Sequence, residues 1–311
     1  MSAITYAPDL VEEAVLLAER TMDPAEARAF RRERDRLYEL SDPDRREADF
    51  RALHVRWFTY AGLHRVIEET MAGRADMLDR VAGCRVSLAF TERDESADLI
   101  DPPAVMAGAG GTKPTLALRL RPATLLRPRA LRALLLHELM HVADMLDPAF
   151  AYERTLPPSD DGPSGDNILR DRYRVLWDVV IDGRLARAGQ SDGRARAVRA
   201  REFAQAFVML GDRGQEVFDE WFDRVEPAHQ RLVAFAHAPN GADSTNAADS
   251  GRCPLCRFPV ASLDTQTERL SSAVQATIRA NHPGWRIEQG LCSQCRDLYE
   301  ARYDETVGVG R

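Results

Sequence analysis

The spacing of apolar residues changes along this 311-residue chain and predicts helices first and strands later. Residues 9–80 place apolar side chains three and four positions apart, the period of helices with one buried face. The Asp-Pro pairs at 23–24 and 42–43 put a capping side chain before a first-turn proline, so each predicts a helix start. Residues 85–90 and 115–120 alternate apolar and polar positions instead, which predicts two strands.

Helical spacing returns after the second strand. A proline-free apolar run at 129–146 predicts one long helix, and further helices are predicted at 168–188 and 194–236. Residues 154–167 are rich in Pro, Gly and Asp and predict a loop. We therefore expect an α+β fold that is predominantly helical.

A segment of small and polar residues at 238–251 has the composition of a linker. It separates a short C-terminal module at 252–311 from the rest of the chain. The change from helical to alternating spacing near residue 80 suggests a further boundary. We therefore predict an N-terminal helical region at 1–80 and a core at 81–237 before this linker and module.

Charge and hydropathy exclude several classes of function. A net charge of −7 argues against nonspecific nucleic-acid binding, which needs a basic surface, and the arginine-rich segment 194–201 is interpreted as a solvated helix face. The chain lacks an apolar run near about 18 residues, so we expect no membrane span. Its first 20 residues lack the features of a signal peptide, so we expect a cytoplasmic protein.

The sequence His137-Glu138-Leu-Met-His141 lies inside the helix predicted at 129–146. Residues four apart share one face of a helix, so the two histidines can offer their ring nitrogens to one metal ion. Glu138, one position further, can act as general base towards a metal-bound water. The motif therefore predicts a zinc site with hydrolytic chemistry.

The order of strand, H-E-x-x-H helix and further helices over residues 84–188 resembles the zincin metallopeptidases. The resemblance implies a zincin-like core, with a small antiparallel or mixed sheet beside the active-site helix. It implies hydrolysis of a peptide bond by a zinc-activated water, with Glu138 as the base. It also implies that an edge strand near 115–120 holds an extended peptide by backbone pairing.

A catalytic zinc needs a third protein ligand. In gluzincins this ligand is a Glu in a Glu-x-x-x-Asp pattern on a later helix, and this chain has Asp178-x-x-x-Asp182 in an apolar helical run. The resemblance implies that Asp178 is the ligand and that Asp182 orients His137 from behind. The chain departs from the pattern in having Asp where the family has Glu.

Three other residues compete for the role of third ligand. Asp147 matches the spacing of the metzincin string, but Asp144 stands where that string needs a glycine. Glu153 follows the helix closely. Cys84 lies upstream, as a cysteine ligand does in peptide deformylases, although a buried apolar role suits it as well.

Four of the five cysteines form two C-x-x-C pairs, which are Cys253 with Cys256 and Cys292 with Cys295. This spacing is typical of a zinc ribbon or treble-clef-like module, in which four thiolates hold a structural zinc. A helix is predicted over 266–280 between the pairs, and another beginning at 297–300.

We therefore expect a zinc-dependent metallopeptidase with one catalytic and one structural zinc, acting on a peptide or protein substrate. Tyr152, Tyr173 and Arg170 are candidates to stabilise the oxyanion. The alternative is a non-catalytic, zinc-stabilised binding or regulatory protein with a zincin-like core. The Asp in place of the gluzincin Glu favours this alternative.

Overall fold

A computed structural model describes residues 4–102, 113–159, 162–191, 193–239, 253–256, 263–265 and 267–308. The chain divides into two compact units. The first lies within Met1–Thr155, Val175–Phe203 and Glu216–Leu232, and the second within Leu156–Arg174, Ala204–Gln215 and Val233–Arg311. The boundaries predicted at residues 80, 237 and 251 stay predictions.

Helices dominate the described residues, as expected for a mostly helical α+β protein. They are α1 (Pro8–Glu19), α2 (Pro24–Tyr38), α3 (Pro43–Tyr60), α4 (Arg65–Ala72), α5 (Ala75–Leu78), α6 (Pro122–Leu125), α7 (Pro128–Leu146), α8 (Gly162–Arg187), α9 (Ala195–Ala206), α10 (Gly214–Phe222), α11 (His229–His237), α12 (Ser272–Asn281) and α13 (Ser293–Gly308). The strands are β1 (Ile4–Tyr6), β2 (Gly83–Leu88), β3 (Ser96–Ile100) and β4 (Thr115–Leu120).

The two helix starts predicted from Asp-Pro pairs are confirmed. The Asp23 carboxylate accepts a hydrogen bond from the Ala25 N–H, and the Asp42 carboxylate accepts from two N–H groups of the first turn of α3. Each cap satisfies a backbone donor that the helix itself leaves unpaired, a stabilisation of about 1 kcal/mol.

The strands of the first unit form one mixed sheet in the order β1-β2-β4-β3. β1, β2 and β4 run parallel, and β3 pairs antiparallel with β4. The expectation that residues 115–120 form an edge strand is therefore wrong, because β4 lies between β2 and β3. The edges are β1 and β3 instead, and β3 packs against α7.

The apolar core of the first unit lies between this sheet and its helices. Alternate residues of β4 point into it, and α7 contributes a stripe one helical turn apart: Leu131, Leu135, Leu139 and Val142, each at most 1% exposed. This stripe explains why the helix forms where its apolar spacing predicted, since burying each leucine stabilises it by about 1.5–3 kcal/mol.

The predicted loop at 154–167 is wrong in its second half, because α8 already begins at Gly162. A proline at the second position of that helix causes no conflict, since the first turn of a helix leaves its N–H groups unpaired. The helical stretch predicted at 194–236 is divided, and Gly211 adopts a positive φ of 53° between α9 and α10.

The described C-terminal residues form a small core of their own within the second unit. Val274, Ile278, Trp285 and Leu291 are among its buried side chains. The helix predicted at 266–280 begins later, with α12 at Ser272, and the closing helix α13 begins earlier than predicted. The predicted linker lies outside the described residues from position 240 onward. Among the described residues, no helix combines the length and hydropathy that crossing a membrane requires.

Candidate metal centres

Helix α7 presents His137 and His141 on one face, one turn apart. Their ring centroids lie 5.0 Å apart, and their side chains are 13% and 12% exposed. The stripe of buried leucines fixes how the helix is rotated, so the two histidines stand beside the core instead of inside it.

Helix α8 brings Asp178 to these two rings. Its Oδ1 lies 3.0 Å from the Nε2 of His141 and 3.4 Å from the Nε2 of His137, and the two nitrogens are 3.3 Å apart. A tetrahedral zinc with bonds of about 2.0–2.1 Å places its ligand atoms about 3.3 Å apart. The three atoms therefore fit three corners of a zinc tetrahedron, and a group of metal-binding type is formed by these residues.

Asp182, one helical turn beyond Asp178, contacts the other side of the His137 ring. Its Oδ1 lies 2.8 Å from Nδ1 of His137. When Nδ1 carries the proton and donates it to this carboxylate, Nε2 keeps its lone pair towards Asp178. The Nε2 lone pair of His137 and the Asp178 carboxylate would then face each other as two acceptors. A cation between them would stabilise this arrangement.

The arginine Arg199 of α9 holds both carboxylates, a contact that the sequence interpretation missed. Its Nε donates to Oδ2 of Asp182 at 2.6 Å, and its Nη1 lies 3.5 Å from Oδ2 of Asp178 and 2.6 Å from Glu202. The interpretation of 194–201 as a solvated helix face is therefore wrong at this position. The basic residue balances the negative charge that the two aspartates bring into a buried place.

Protonation of the cluster follows from these contacts. Burial favours a neutral His137, but hydrogen bonds and charges from Asp178 and Asp182 outweigh it and raise the pKa of His137 to about 9. Burial also opposes ionisation of both aspartates, yet His137 and His141 lower the pKa of Asp178, and His137 and Arg199 lower the pKa of Asp182. A proton therefore occupies His137 at neutral pH unless a metal ion replaces it.

Glu138 faces the edge strand and does not belong to the group of ligand atoms. Its Oε2 accepts a hydrogen bond of 2.9 Å from the backbone N–H of Ala97 in β3. This hydrogen bond fixes the Glu138 carboxylate beside β3.

The competing third ligands lie elsewhere. Asp147 is exposed at the end of α7, where its carboxylate accepts from the Ala149 N–H, and Glu153 is also exposed. Cys84 lies in the core on β2, where burial raises the pKa of its thiol to about 12. Among the described residues, none of these three joins the group around the histidines.

Asp144 shows why the metzincin alternative does not fit. Where that family turns sharply at a glycine, α7 continues to Leu146. The Asp144 carboxylate is buried and accepts from Trp177 Nε1 at 2.9 Å and from Arg184 Nη1 at 2.7 Å. It therefore joins α7 to α8, the helix that carries Asp178.

An aromatic group borders the histidines. The ring of Trp177 lies 4.4 Å from that of His141, and the rings of Phe150 and Tyr152 lie 5.2 and 5.5 Å from Trp177. His229 packs against Phe150 and Tyr152 as a buried side chain. Of the three candidate oxyanion stabilisers, the structure places Tyr152 in this group.

The other two candidate oxyanion stabilisers, Arg170 and Tyr173, belong to the second unit. The guanidinium of Arg170 donates to the backbone oxygen of Asp166 and to Asn167 Oδ1, within its own helix. The structure therefore gives an oxyanion role at the histidines no support from this side chain.

The four cysteines predicted as ligands converge in the second unit. Their Sγ atoms all lie within 4.8 Å of one another, and those of Cys256 and Cys292 are 3.8 Å apart. A tetrahedral zinc with bonds of about 2.3 Å to sulfur separates its ligands by about 3.8 Å. The cluster can therefore hold a metal ion such as zinc.

Backbone geometry prepares these thiols for a metal. Burial alone would raise the pKa of Cys253, but N–H groups, among them that of Cys292 at 3.4 Å, lower it to about 7. Burial and the other three sulfurs raise the pKa of Cys295. These contacts favour a thiolate at Cys253, and a bound zinc would favour deprotonation of the other thiols.

A comparison of this chain with protein-family models, with curated proteins and with solved structures finds no match. Function must therefore be inferred from the two clusters. Four thiolates complete a tetrahedron, whereas two imidazoles and one carboxylate leave a fourth corner for water or substrate. The histidine and aspartate cluster therefore has the chemistry of a hydrolytic site, and the cysteine cluster has that of a structural site.

Proposed function

We propose that this protein is a zinc-dependent metallopeptidase of gluzincin-like type, with a C-terminal module stabilised by a second zinc. The observation that carries the proposal is the convergence of His137 Nε2, His141 Nε2 and Asp178 Oδ1 at distances of 3.0–3.4 Å. The residue beside the first histidine, Glu138, is the acid-base group such a site needs. Asp182 orients His137 from behind.

The proposed reaction uses Glu138 to move a proton. When bound, zinc polarises the scissile carbonyl and lowers the pKa of a water towards about 7. The Glu138 carboxylate accepts the proton from the attacking water and returns it to the leaving amine. The hydrogen bond from the Ala97 N–H fixes the position of this carboxylate.

The edge of the sheet supports a peptide as the substrate. β3 is antiparallel to its neighbour, borders α7, and carries the Ala97 N–H that contacts Glu138. On the outer side of β3, the Ala97 N–H contacts Glu138 and the Leu99 carbonyl accepts from Arg154. An extended peptide that displaced Arg154 and paired with this side would bring a peptide bond to Glu138. A mixed sheet with such a strand beside the H-E-x-x-H helix also supports the zincin resemblance.

Replacing Glu138 by Gln tests the proposed function. We expect the wild-type protein, loaded with zinc, to cleave a fluorescent casein, and chelation to abolish cleavage. Glu138→Gln should lower kcat by about 10²–10⁴ because the proton acceptor is lost, while both zincs stay bound. Asp147→Asn, at the exposed competing position, should leave kcat within twofold. Full activity in Glu138→Gln would refute the mechanism.

A non-catalytic binding protein is the second candidate. Two observations favour a binding protein. The side chain of Asp178 is shorter than the gluzincin Glu, and Glu138 is already hydrogen-bonded to the Ala97 N–H. The two candidates differ in one outcome. Cleavage of a broad peptide library by the wild type, lost on chelation, supports the peptidase, whereas zinc-dependent capture of peptides without cleavage supports the binding protein.

The role proposed for the second zinc is structural. The pair Cys292 and Cys295 lies at the start of α13, and the pair Cys253 and Cys256 lies in a turn. Ligands at the start of a closing helix favour the treble-clef-like alternative over a ribbon. The module has a small core, so zinc would supply much of its folding free energy.

A further inference from the structure

The outer side of β3 is already engaged by side chains of this chain. The Ala97 N–H points away from β4, because it donates to Glu138, and backbone groups two residues further along a strand point the same way. The N–H and C=O of Leu99 therefore face outward too. The Leu99 N–H donates to Asp98 Oδ1 at 2.7 Å, and the Leu99 C=O accepts from the guanidinium of Arg154. An extended peptide that pairs with β3 must compete with these contacts.

Among these contacts, that of Arg154 joins β3 to a segment distant along the chain. Its guanidinium also lies 3.3 Å from Oδ2 of Asp101, the residue that follows β3. The side chains of Arg154 and Asp101 are 54% and 67% exposed, so water screens their charges and the ion pair can open. Arg154 is therefore the contact on this edge that an incoming peptide can displace most readily.

The segment that carries Arg154, residues 150–154, is called the strap below, and its first residue is anchored beside the histidine cluster. Phe150 is buried and stacks on Trp177 of α8, with ring centroids 5.2 Å apart and an interplanar angle of 18°. The Phe150 C=O accepts a hydrogen bond of 3.0 Å from the His229 N–H. These contacts fix the start of the strap independently of Arg154.

From this anchor the strap runs towards β3. Ala151 adopts a φ of 54°, which is costly for a residue with a side chain, so contacts on either side of it must hold this conformation. Burial, and after it the negative charge of Asp98 in β3, raise the pKa of Tyr152. The strap therefore reaches from α8 to the edge strand, where Arg154 binds the Leu99 C=O.

We propose that Arg154 forms an autoinhibitory contact, which closes the outer side of β3 to extended peptides until Arg154 is released. This role rests on the proposed function, because β3 is the strand that would hold the substrate. When only a fraction of the molecules is open, the apparent Kd of the substrate rises by the inverse of that fraction. Arg154 therefore opposes substrate binding and leaves the proton transfer at Glu138 unchanged.

Kinetics of Arg154 variants test this role in the zinc-loaded full chain. Arg154→Ala should lower KM for fluorescent casein by about three- to tenfold, since one charged hydrogen bond and one exposed ion pair are lost, with kcat within twofold. Arg154→Lys keeps the charge beside Asp101 and should give an intermediate KM. Arg51→Gln removes an exposed arginine that pairs with Glu47 within α3, and it should change neither constant.

Trypsin measures the opening of this contact without reference to peptidase activity. Trypsin cleaves after Arg154 only when this side chain leaves Leu99 and Asp101. Asp101→Asn removes the ion pair, so cleavage after Arg154, followed by mass spectrometry, should be about two- to fivefold faster. Cleavage after Arg51 in the same digest should keep its rate. Glu138→Gln, present in both proteins, excludes self-cleavage.

The two measurements separate this role from the proposed function. Cleavage of casein by the wild type with the same KM in Arg154→Ala would overturn the autoinhibitory role and leave the peptidase standing. Cleavage by Arg154→Ala alone would support both. If no variant cleaves casein, the peptidase fails, and faster trypsin cleavage in Asp101→Asn would still support closure of β3 by Arg154. Equal trypsin rates after Arg154 in the two proteins would overturn the contact in either case.

Discussion

Asp182 shows how single residues build the proposed catalytic site. Its carboxylate accepts from His137 on one oxygen and from Arg199 on the other. The pair Asp178 and Asp182 was predicted from the resemblance of Asp-x-x-x-Asp to the gluzincin Glu-x-x-x-Asp pattern. Arg199 could not be predicted, because its role depends on how α9 packs against α8, which no local spacing encodes.

Replacing Asp182 by Asn should weaken zinc binding at the histidine cluster. The amide keeps the shape but loses the charge that fixes the His137 tautomer, and such changes behind a ligand lower metal affinity about 10–100-fold. Competition with a chromophoric chelator measures this affinity. Asp171→Asn, exposed on the same helix, is the control. An affinity in Asp182→Asn within twofold of wild type would contradict the assigned role.

The pKa of His137 predicts how the metal-free protein responds to pH. This pKa is raised from 6.5 to about 9 in the folded chain, so protonated His137 stabilises the fold. This contribution to the free energy of unfolding is complete below about pH 6.5 and is lost as the pH rises through about 9. The Tm of the chelator-treated protein should therefore fall across this window. Zinc affinity should rise across it, since zinc displaces the proton. Calorimetry of wild type beside His137→Gln checks this, and equal slopes in the two proteins would contradict it.

At the scale of elements, spacing predicted α7 and β4 well but could not predict the sheet. Apolar positions on α7 are set by its own period, so its bounds follow from the sequence. The order of strands depends on contacts distant along the chain. β3 has five residues, of which only Ala97 and Leu99 are buried, and β1 has three. The edge strand was therefore assigned to the wrong segment.

Gly183 determines how closely α8 approaches α10. A Cβ built at this position lies 1.8 Å from the backbone oxygen of Phe222, which no side-chain movement can relieve. Gly183→Ala should therefore destabilise the first unit by about 1–3 kcal/mol and weaken zinc binding through the adjacent Asp182. Gly73→Ala is the control, since its nearest contact is an ordinary 3.5 Å. Urea unfolding measures the difference, and equal midpoints for both variants would contradict the prediction.

At the scale of the whole molecule, two clusters of different chemistry lie in separate units. The two histidines and the two C-x-x-C pairs were predicted from short spacings, which bring ligands together locally, whereas Asp178 was predicted from the gluzincin resemblance. A cavity lined by residues of β1, α1, α3 and α4 could not be predicted, because these segments are distant along the chain.

The zinc content per chain, measured by elemental analysis, tests the central claim most directly. The account predicts two zincs in the wild type and one in His137→Ala, because the cysteine cluster keeps its own metal. His237→Ala, a histidine outside both clusters, should retain two. One zinc in the wild type and in His137→Ala alike would show that the histidine cluster binds none, and this result would contradict the account.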